Sequence, residues 1–506
     1  MWNGLRFETR APVARSAPAR ADVACFVGFA ALRPGPVPSA VTAQWERNGW
    51  SAFVPADPVA SPLPVMIESA HAFAETFDGW IRTPDGLSWE GALSGAVRDF
   101  FRQGGRRCWV VSCGPATPPP ADEAGALAAL DKLLPGSLHP AEPSSRETWR
   151  GIGHLFGLPD VSIVCVPDLP FVLGLPTVAD PPLPPEPVPV PQFLECSSPP
   201  PEPPTGALRK GPKAPRVGDV EMERWRVAAH RGVSFLKRYR PDVELILALP
   251  LPASHASHAG DTLRGLLDTQ LLRTSLENGL ASAWLQLAWP WYAGDITRDR
   301  PEGISPADGA LAGMLARNAL LQGTFRSTAY AKPAGFLRLE PQLDRVALLR
   351  PLPAPRNAAG LNLTERLCTF GQTPGGIALL SDVTTTPDPQ WRQGGVNRLI
   401  GAVRRSVQRI GEQFVFQPNG ALTRRSLRYA LEQMLQGYQD AGGLNGNGTP
   451  FYVRCSADTT TDNDEQNGRM IVEIGIEPVQ AIDQITVVLS VGDASSGGLG
   501  SAGEVA

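Results

Sequence analysis

Histidine, charge of one dominant sign and long apolar runs are what this sequence has least of, and each shortage removes a class of function. Six histidines in 506 residues give little material for general acid–base chemistry. The formal net charge is −4, so no global basic field draws the chain to nucleic acid or to an anionic membrane. No apolar run approaches the roughly 18 residues that suggest a membrane span, and the amino terminus has no continuous apolar signal core. Seven cysteines (Cys25, Cys108, Cys113, Cys165, Cys196, Cys368 and Cys455) are odd in number and scattered. Several lie in apolar runs such as 161–166, so they read as buried thiols and not as a disulfide framework. The expectation is a protein that folds in a reducing cytoplasm, with no membrane insertion and no nucleic-acid partner.

The signatures of catalysis are missing too. No Gly-x-x-x-x-Gly-Lys-Ser/Thr loop occurs, no Gly-x-Gly-x-x-Gly follows a strand, and there is no Gly-x-Ser-x-Gly elbow. His255 and His258 stand three apart without the further ligands that structural zinc requires. Asp462, Asp464 and Glu465 resemble a calcium loop until Gln466 breaks the order of chelating side chains, and a solvated hairpin loop is the simpler reading. Trp284, Trp289, Trp291 and Tyr292 could stack a base or a sugar, but beside the Pro290 break they fit core or interface packing better. No catalytic, cofactor-binding or metal-binding residue is expected, and no cofactor.

What is present is alternation of helices and apolar strands. The chain is 42% hydrophobic and long enough for two to four domains. The run 24–30 is a buried strand, and Pro64-Val-Met-Ile67 precedes a short helix carrying Phe73 and Phe77. Leu93, Ala96, Val97, Phe100 and Phe101 share one helix face, which Gly104-Gly105 terminates. Strands without polar alternation follow at 108–112, 161–166, 244–249 and 283–289, with helices over 126–134, 222–239 and 262–280. Unbroken apolar strands require burial on both faces. The fold class is therefore α/β, a mainly parallel sheet core with helices on both faces. Twelve of the 24 residues from 181 to 204 are proline. Proline neither donates to a sheet ladder nor extends a helix, so this is a stiff exposed insertion, with a ligand for an aromatic groove as the alternative.

The last third is an α+β domain. Val396, Leu399, Ile400, Val403, Val407 and Ile410 line one helix, and Leu427 to Tyr438 a second. Phe414-Val-Phe416 is expected as a short strand, 451–455 with 470–476 as a hairpin, and 484–491 as one further strand. The division predicted is an arm over 1–20, a core over 21–380 with its proline-rich insertion at 170–220, a C-terminal domain over 381–491, and a disordered tail over 492–506.

The course of the chain resembles the sheath proteins of contractile phage tails and related injection systems. The resemblance rests on Cys25-Phe-Val-Gly-Phe-Ala30, on Ala96 to Val111 with its double glycine and aromatic strand, and on Trp289-Pro-Trp291. It rests further on Phe416-Gln-Pro-Asn419, Phe451-Tyr-Val-Arg-Cys455 and Gly468 to Pro478. It departs from the family at the amino-terminal arm, the proline insertion and the tail after Val491. The resemblance implies a structural subunit, not an enzyme, that builds a sleeve of stacked hexameric rings and contracts. A specialised baseplate-proximal paralogue is the nearest alternative, and an α/β enzyme or a monomeric binding module the remote ones. The implied partners are copies of itself, an inner tube protein, and baseplate and terminal cap proteins.

Two sets of residues follow from that resemblance. The strand 484–491, with Ile485, Val487, Val488 and Leu489, is expected to pair with a neighbouring subunit. Arg404, Arg405 and Arg409 lie largely off the apolar face of the first C-terminal helix, and Arg424, Arg425 and Arg428 open the second. These six are candidates to face the tube, against the plain alternative of a solvated face on two ordinary helices.

Overall fold

The computed structural model describes residues 19–53, 63–120, 122–136, 141–174, 212–252, 279–342, 348–349, 362–445, 448–455, 459–460, 463–464 and 467–479. The proline insertion 181–204, residues 262–278 of the expected helix, strand 484–491 with Ile485, Val487, Val488 and Leu489, and the tail 492–506 lie outside them. So do His255, His258, Asp462 and Glu465.

The apolar runs assemble into one sheet. In chain order the core elements are β1 (Ala24–Gly28), β2 (Val65–Ile67), α1 (Ala92–Arg102), β3 (Cys108–Ser112), α2 (Glu123–Leu133) and β4 (Ile163–Cys165). They continue with α3 (Asp219–Tyr239), β5 (Glu244–Ala248), β6 (Leu285–Trp289), β7 (Trp291–Gly294), β8 (Ile304–Ser305) and α4 (Asp308–Leu321). After β9 (Phe336–Glu340) come β10 (Cys368–Thr373) and β11 (Gly376–Leu379). The eight strands run in the order β11-β10-β6-β5-β4-β1-β3-β2. All pairs from β10 to β3 are parallel, and β11 and β2 close the two edges antiparallel.

Strands β1, β3, β4, β5 and β6 are buried at every residue, which is why their sequences never alternate with polar residues. Phe26 of β1 meets Phe100 of α1 edge to face at 5.5 Å. Leu245 of β5 points the other way, onto Gly232 of α3. In register, Phe26 stands beside Cys165 and Cys165 beside Ile246, so α1 and α3 cover opposite faces. The expected parallel sheet with helices on both sides is what forms.

Helices α1 and α4 touch through backbone. A Cβ on Gly309 would lie 2.4 Å from the Ala96 carbonyl oxygen, and one on Gly313 the same distance from that of Phe100. Only glycine fits at such an approach. The helix pair carries a buried charge cluster: the Arg300 guanidinium, on the loop between β7 and β8, donates to both carboxylate oxygens of Asp99 at 2.8 and 2.9 Å and to Glu90 at 2.8 Å.

The C-terminal part has a second, smaller core. Helices α5 (Gly394–Glu412) and α6 (Ala421–Asp440) pack under an antiparallel pair, β12 (Phe451–Arg454) and β13 (Glu473–Ile476). Leu399, Leu431 and Leu435 are at most 1% exposed there. The expected strand at Phe414–Phe416 does not form. These residues make the turn that ends α5, where Phe416 takes φ of 68° with its ring exposed. Among the described residues no strand lies beside its β-favouring side chains, which follow the helix terminus instead.

Candidate assembly surface

On the C-terminal part, α5 turns one apolar stripe toward its own core and a second toward an open groove of about 1140 Å³. Val396, Ile400, Val403 and Val407 form the groove floor. Ile474 and Ile476 of β13, then Pro478 and Val479, form its wall. Strand β13 pairs with β12 along one edge, and among the described residues no strand pairs with the other. A two-stranded ribbon is marginal by itself, and an unpaired edge over apolar residues invites another strand.

Both ends of the described chain meet this region. Ala19 donates its amide to the Ser406 hydroxyl of α5 at 3.1 Å, and Ala21 is part of the small core. At the other end, Val479 donates its amide to the Gly443 carbonyl and lines the groove.

The six arginines divide by burial. Arg405 is buried: it donates to the Asp242 carbonyl oxygen and stands 3.5 Å from that residue's carboxylate. Burial lowers its pKa against the pull of Asp242. The expectation that Arg405 lies on the open side of α5 is therefore corrected: it is an internal tie to the start of β5. Arg404 is exposed, its guanidinium 2.6 Å from the Pro241 carbonyl oxygen. Arg409 closes α5, and Arg424, Arg425 and Arg428 occupy the first two turns of α6, all around the 413–420 turn. Arg409, Arg425 and Arg428 are exposed and Arg424 is half-buried, bonded to Asn419 at 3.2 Å.

A feature that sequence reading missed fastens α5 to the sheet. Arg398, 5% exposed, places its two terminal nitrogens 2.9 and 2.5 Å from the two oxygens of Asp382. Asp382 also accepts from Gln286 of β6 and from the Thr328 amide, each at 2.9 Å. Burial alone would raise Asp382, but the charge and hydrogen bonds of Arg398, with those of Thr328 and Gln286, hold it below the ordinary aspartate value. Glu244 at the start of β5 lies 3.8 Å from Arg398, and neither of its oxygens has a hydrogen-bond partner. Burial pushes it up to about 8 despite Arg398, with Asp382 adding to the rise. The only hint in the sequence was that Arg398, Ala402 and Arg405 follow one another at helical spacing on a side that Gly394 and Gly395 already mark as close-packed.

Among the described residues no group of histidine, cysteine and carboxylate side chains is arranged to hold a metal, and no helix is long and apolar enough to cross a membrane. The six described cysteines are all free thiols.

The chain is thus an α/β protein whose parallel sheet is joined to a helix pair under an open two-stranded ribbon. Residues 386–492 match the phage tail sheath C-terminal domain family. Three cryo-EM structures share its fold. A chain of the anti-feeding prophage (AFP) baseplate, six-fold symmetrised, has TM-score 0.57 at 16% identity, over 97% of this chain and 99% of that one. The AFP helical sheath in the contracted state gives 0.55 at 16%, over 96% and 98%. The contracted PVC sheath complex of an extracellular contractile injection system gives 0.55 at 14%, over 97% of each chain. No curated protein sequence matches.

Proposed function

We propose that this chain is a structural subunit of a contractile sheath, polymerising as stacked hexameric rings around an inner tube and contracting to drive that tube through an envelope. The observation that carries the reading is the open groove on α5 beside the unpaired edge of β13. Arms of neighbouring copies, with strand 484–491 as one of them, add strands there. Backbone pairing is indifferent to side chains and tolerates rigid rotation of the bodies it joins. Contraction then draws on new contacts between subunits in a lower-energy packing, without nucleotide. The division at residues 380 and 381 follows the same reading, with the core outside and the C-terminal domain toward the tube. Baseplate and cap proteins would end the sleeve. Assembly belongs in the bacterial cytoplasm, and the product is a phage tail or a released particle.

A second reading has a specific support. Two of the matched chains come from AFP baseplate structures. A specialised copy next to the baseplate is the reading they support, and gold-labelled subunits on whole particles would separate one ring at the baseplate from labelling along the tail.

The test is negative-stain microscopy of the purified chain and of a variant lacking 484–506. The intact chain is expected to form sleeves or rings, and the variant to stay a folded monomer. Compact monomers from the intact chain would overturn the sheath reading. Normal sleeves from the variant would overturn the role of the arm.

A further inference from the structure

A second cavity opens where the sheet changes direction. From β1 the chain crosses to β3 on one side, and β4 then returns to pair with β1 on the other. In open α/β sheets the crevice beyond the carboxyl ends of strands at such a reversal is where ligands bind. Here a cavity of about 260 Å³ lies at that place, with Phe29 just past β1, Gly114 past β3, and Asp168 and Phe171 past β4. Ile81 and Trp89 complete an apolar wall. The volume sits just below the roughly 300 Å³ at which drug-sized pockets begin, so it takes one ring and a short arm.

Asp168 is the buried acid of this wall that has no ion-pair partner among the described residues. It is 7% exposed, and its Oδ2 accepts the Phe29 amide at 3.0 Å. Gly28 makes that approach possible, since a Cβ there would stand 2.1 Å from the same oxygen. Among the described residues no cation pairs with Asp168. Lys132 lies on the exposed rim, Glu90 is already bound by Arg98 and Arg300, and Asp308 adds a further acid from beneath. Buried carboxylates are ordinarily paired, and a carboxylate set in an apolar wall suits a cation on an apolar body.

We infer that this cavity is a binding site for a small organic cation, an amine or guanidinium carried on a flat apolar group, with Asp168 as its anion. Burial, supported by Asp308 and opposed by the Phe29 amide, pushes Asp168 up to about 7. A bound cation completes its ionisation, so binding releases a proton and tightens as pH rises from 6 to 8. The same chemistry is carried by free amines and by an arginine or lysine side chain of a neighbouring copy.

The probes are benzylamine and phenylguanidine, with benzyl alcohol as the uncharged counterpart, titrated calorimetrically into the full-length chain at pH 6 and 8. Saturable binding is expected in the millimolar range, at least tenfold weaker for benzyl alcohol and for Asp168→Asn, and tighter at pH 8. Ala129→Phe, which puts a ring into the same cavity and leaves Asp168 in place, is expected to abolish it and carries the test if Asp168→Asn does not fold. Sleeves formed normally by Ala129→Phe assign the site to a free ligand, and their loss assigns it to a neighbour's side chain. Absence of saturable binding overturns the inference. So does equal binding of benzyl alcohol, or binding that survives in folded Asp168→Asn.

Discussion

Replacing Arg398 with methionine tests how α5 is held to the sheet. The side chain is 4% exposed and its partner Asp382 is 0% exposed, so water cannot take the place of the lost cation. Asp382 keeps the Gln286 and Thr328 donors but loses both guanidinium contacts, and Glu244 loses its nearest positive charge. Breaking a buried pair by removing one partner costs about 3–5 kcal/mol, because an uncompensated charge stays behind. With a urea dependence of about 2 kcal/mol/M, the transition reporting α5 should move roughly 1.5–2.5 M lower. Urea titration followed by tryptophan fluorescence gives the midpoint, and hydrogen exchange should show 394–412 opening before β5. Adding Asp382→Asn removes the stranded charge: its oxygen can accept from the Thr328 amide, and its NH2 can donate to the Gln286 oxygen once that side-chain amide turns over. More than half the loss should then return. A single variant within about 0.3 M of the parent, or a double variant no better than the single, would refute the argument.

Other outcomes follow from the same structure. Glu244 titrates near 8 when folded and at 4.5 ordinarily, so the folded chain holds a proton the unfolded chain has given up between those values; its contribution is present below pH 4.5 and lost as pH rises through 8. Glu244→Gln should flatten the decline in urea midpoint between pH 5 and 8, and an unchanged slope would count against that assignment. Reversing exposed Arg409, Arg425 and Arg428 to glutamate should leave the monomer as stable as the parent but, on co-expression with tube protein, yield contracted tube-free sleeves; each pair contributes only about 0–1 kcal/mol, so the three act together. Extended particles that resist raised salt would rule these arginines out as the tube contact, while Arg405→Glu should instead lower thermal stability through Asp242. Replacing 181–204 by a short Gly/Ser linker should leave sleeves intact in negative stain, and loss of assembly would place that segment between subunits.

The central sheet was legible because burial on both faces leaves a mark no turn or loop imitates: five strands with hardly a polar residue, separated by helices, the first of which, α1, stops at Gly104. Helix α5 was equally plain from its 3.6-residue period. What escaped were the ties between regions. Arg405 read as a member of a solvent face, and Arg398 drew no role, because their counter-charges, Asp242 and Asp382, come from distant parts of the chain. Local spacing records which side of a helix is apolar, not which of its charges find a buried partner. The groove escaped for the opposite reason. Val396, Ile400, Val403 and Val407 read as core, and only the placement of β13 reveals that part of this face looks outward. Phe414–Phe416 shows the limit of propensity, since three strand-forming residues ended as a turn once no strand lay beside them.

The two ends of the described chain attach to one small body: residues 19–21 seat against α5, and residue 479 leaves along β13. A tension applied between those ends has its short route through the helix pair and its ribbon, while the covalent route from residue 19 enters the eight-stranded sheet at Ala24. Hydrogen bonds along a strand drawn parallel to its length are loaded together in shear, and how the pull divides between the two routes is set by the Ala19–Ser406 bond and by the ties that Arg398, Arg404 and Arg405 make from α5.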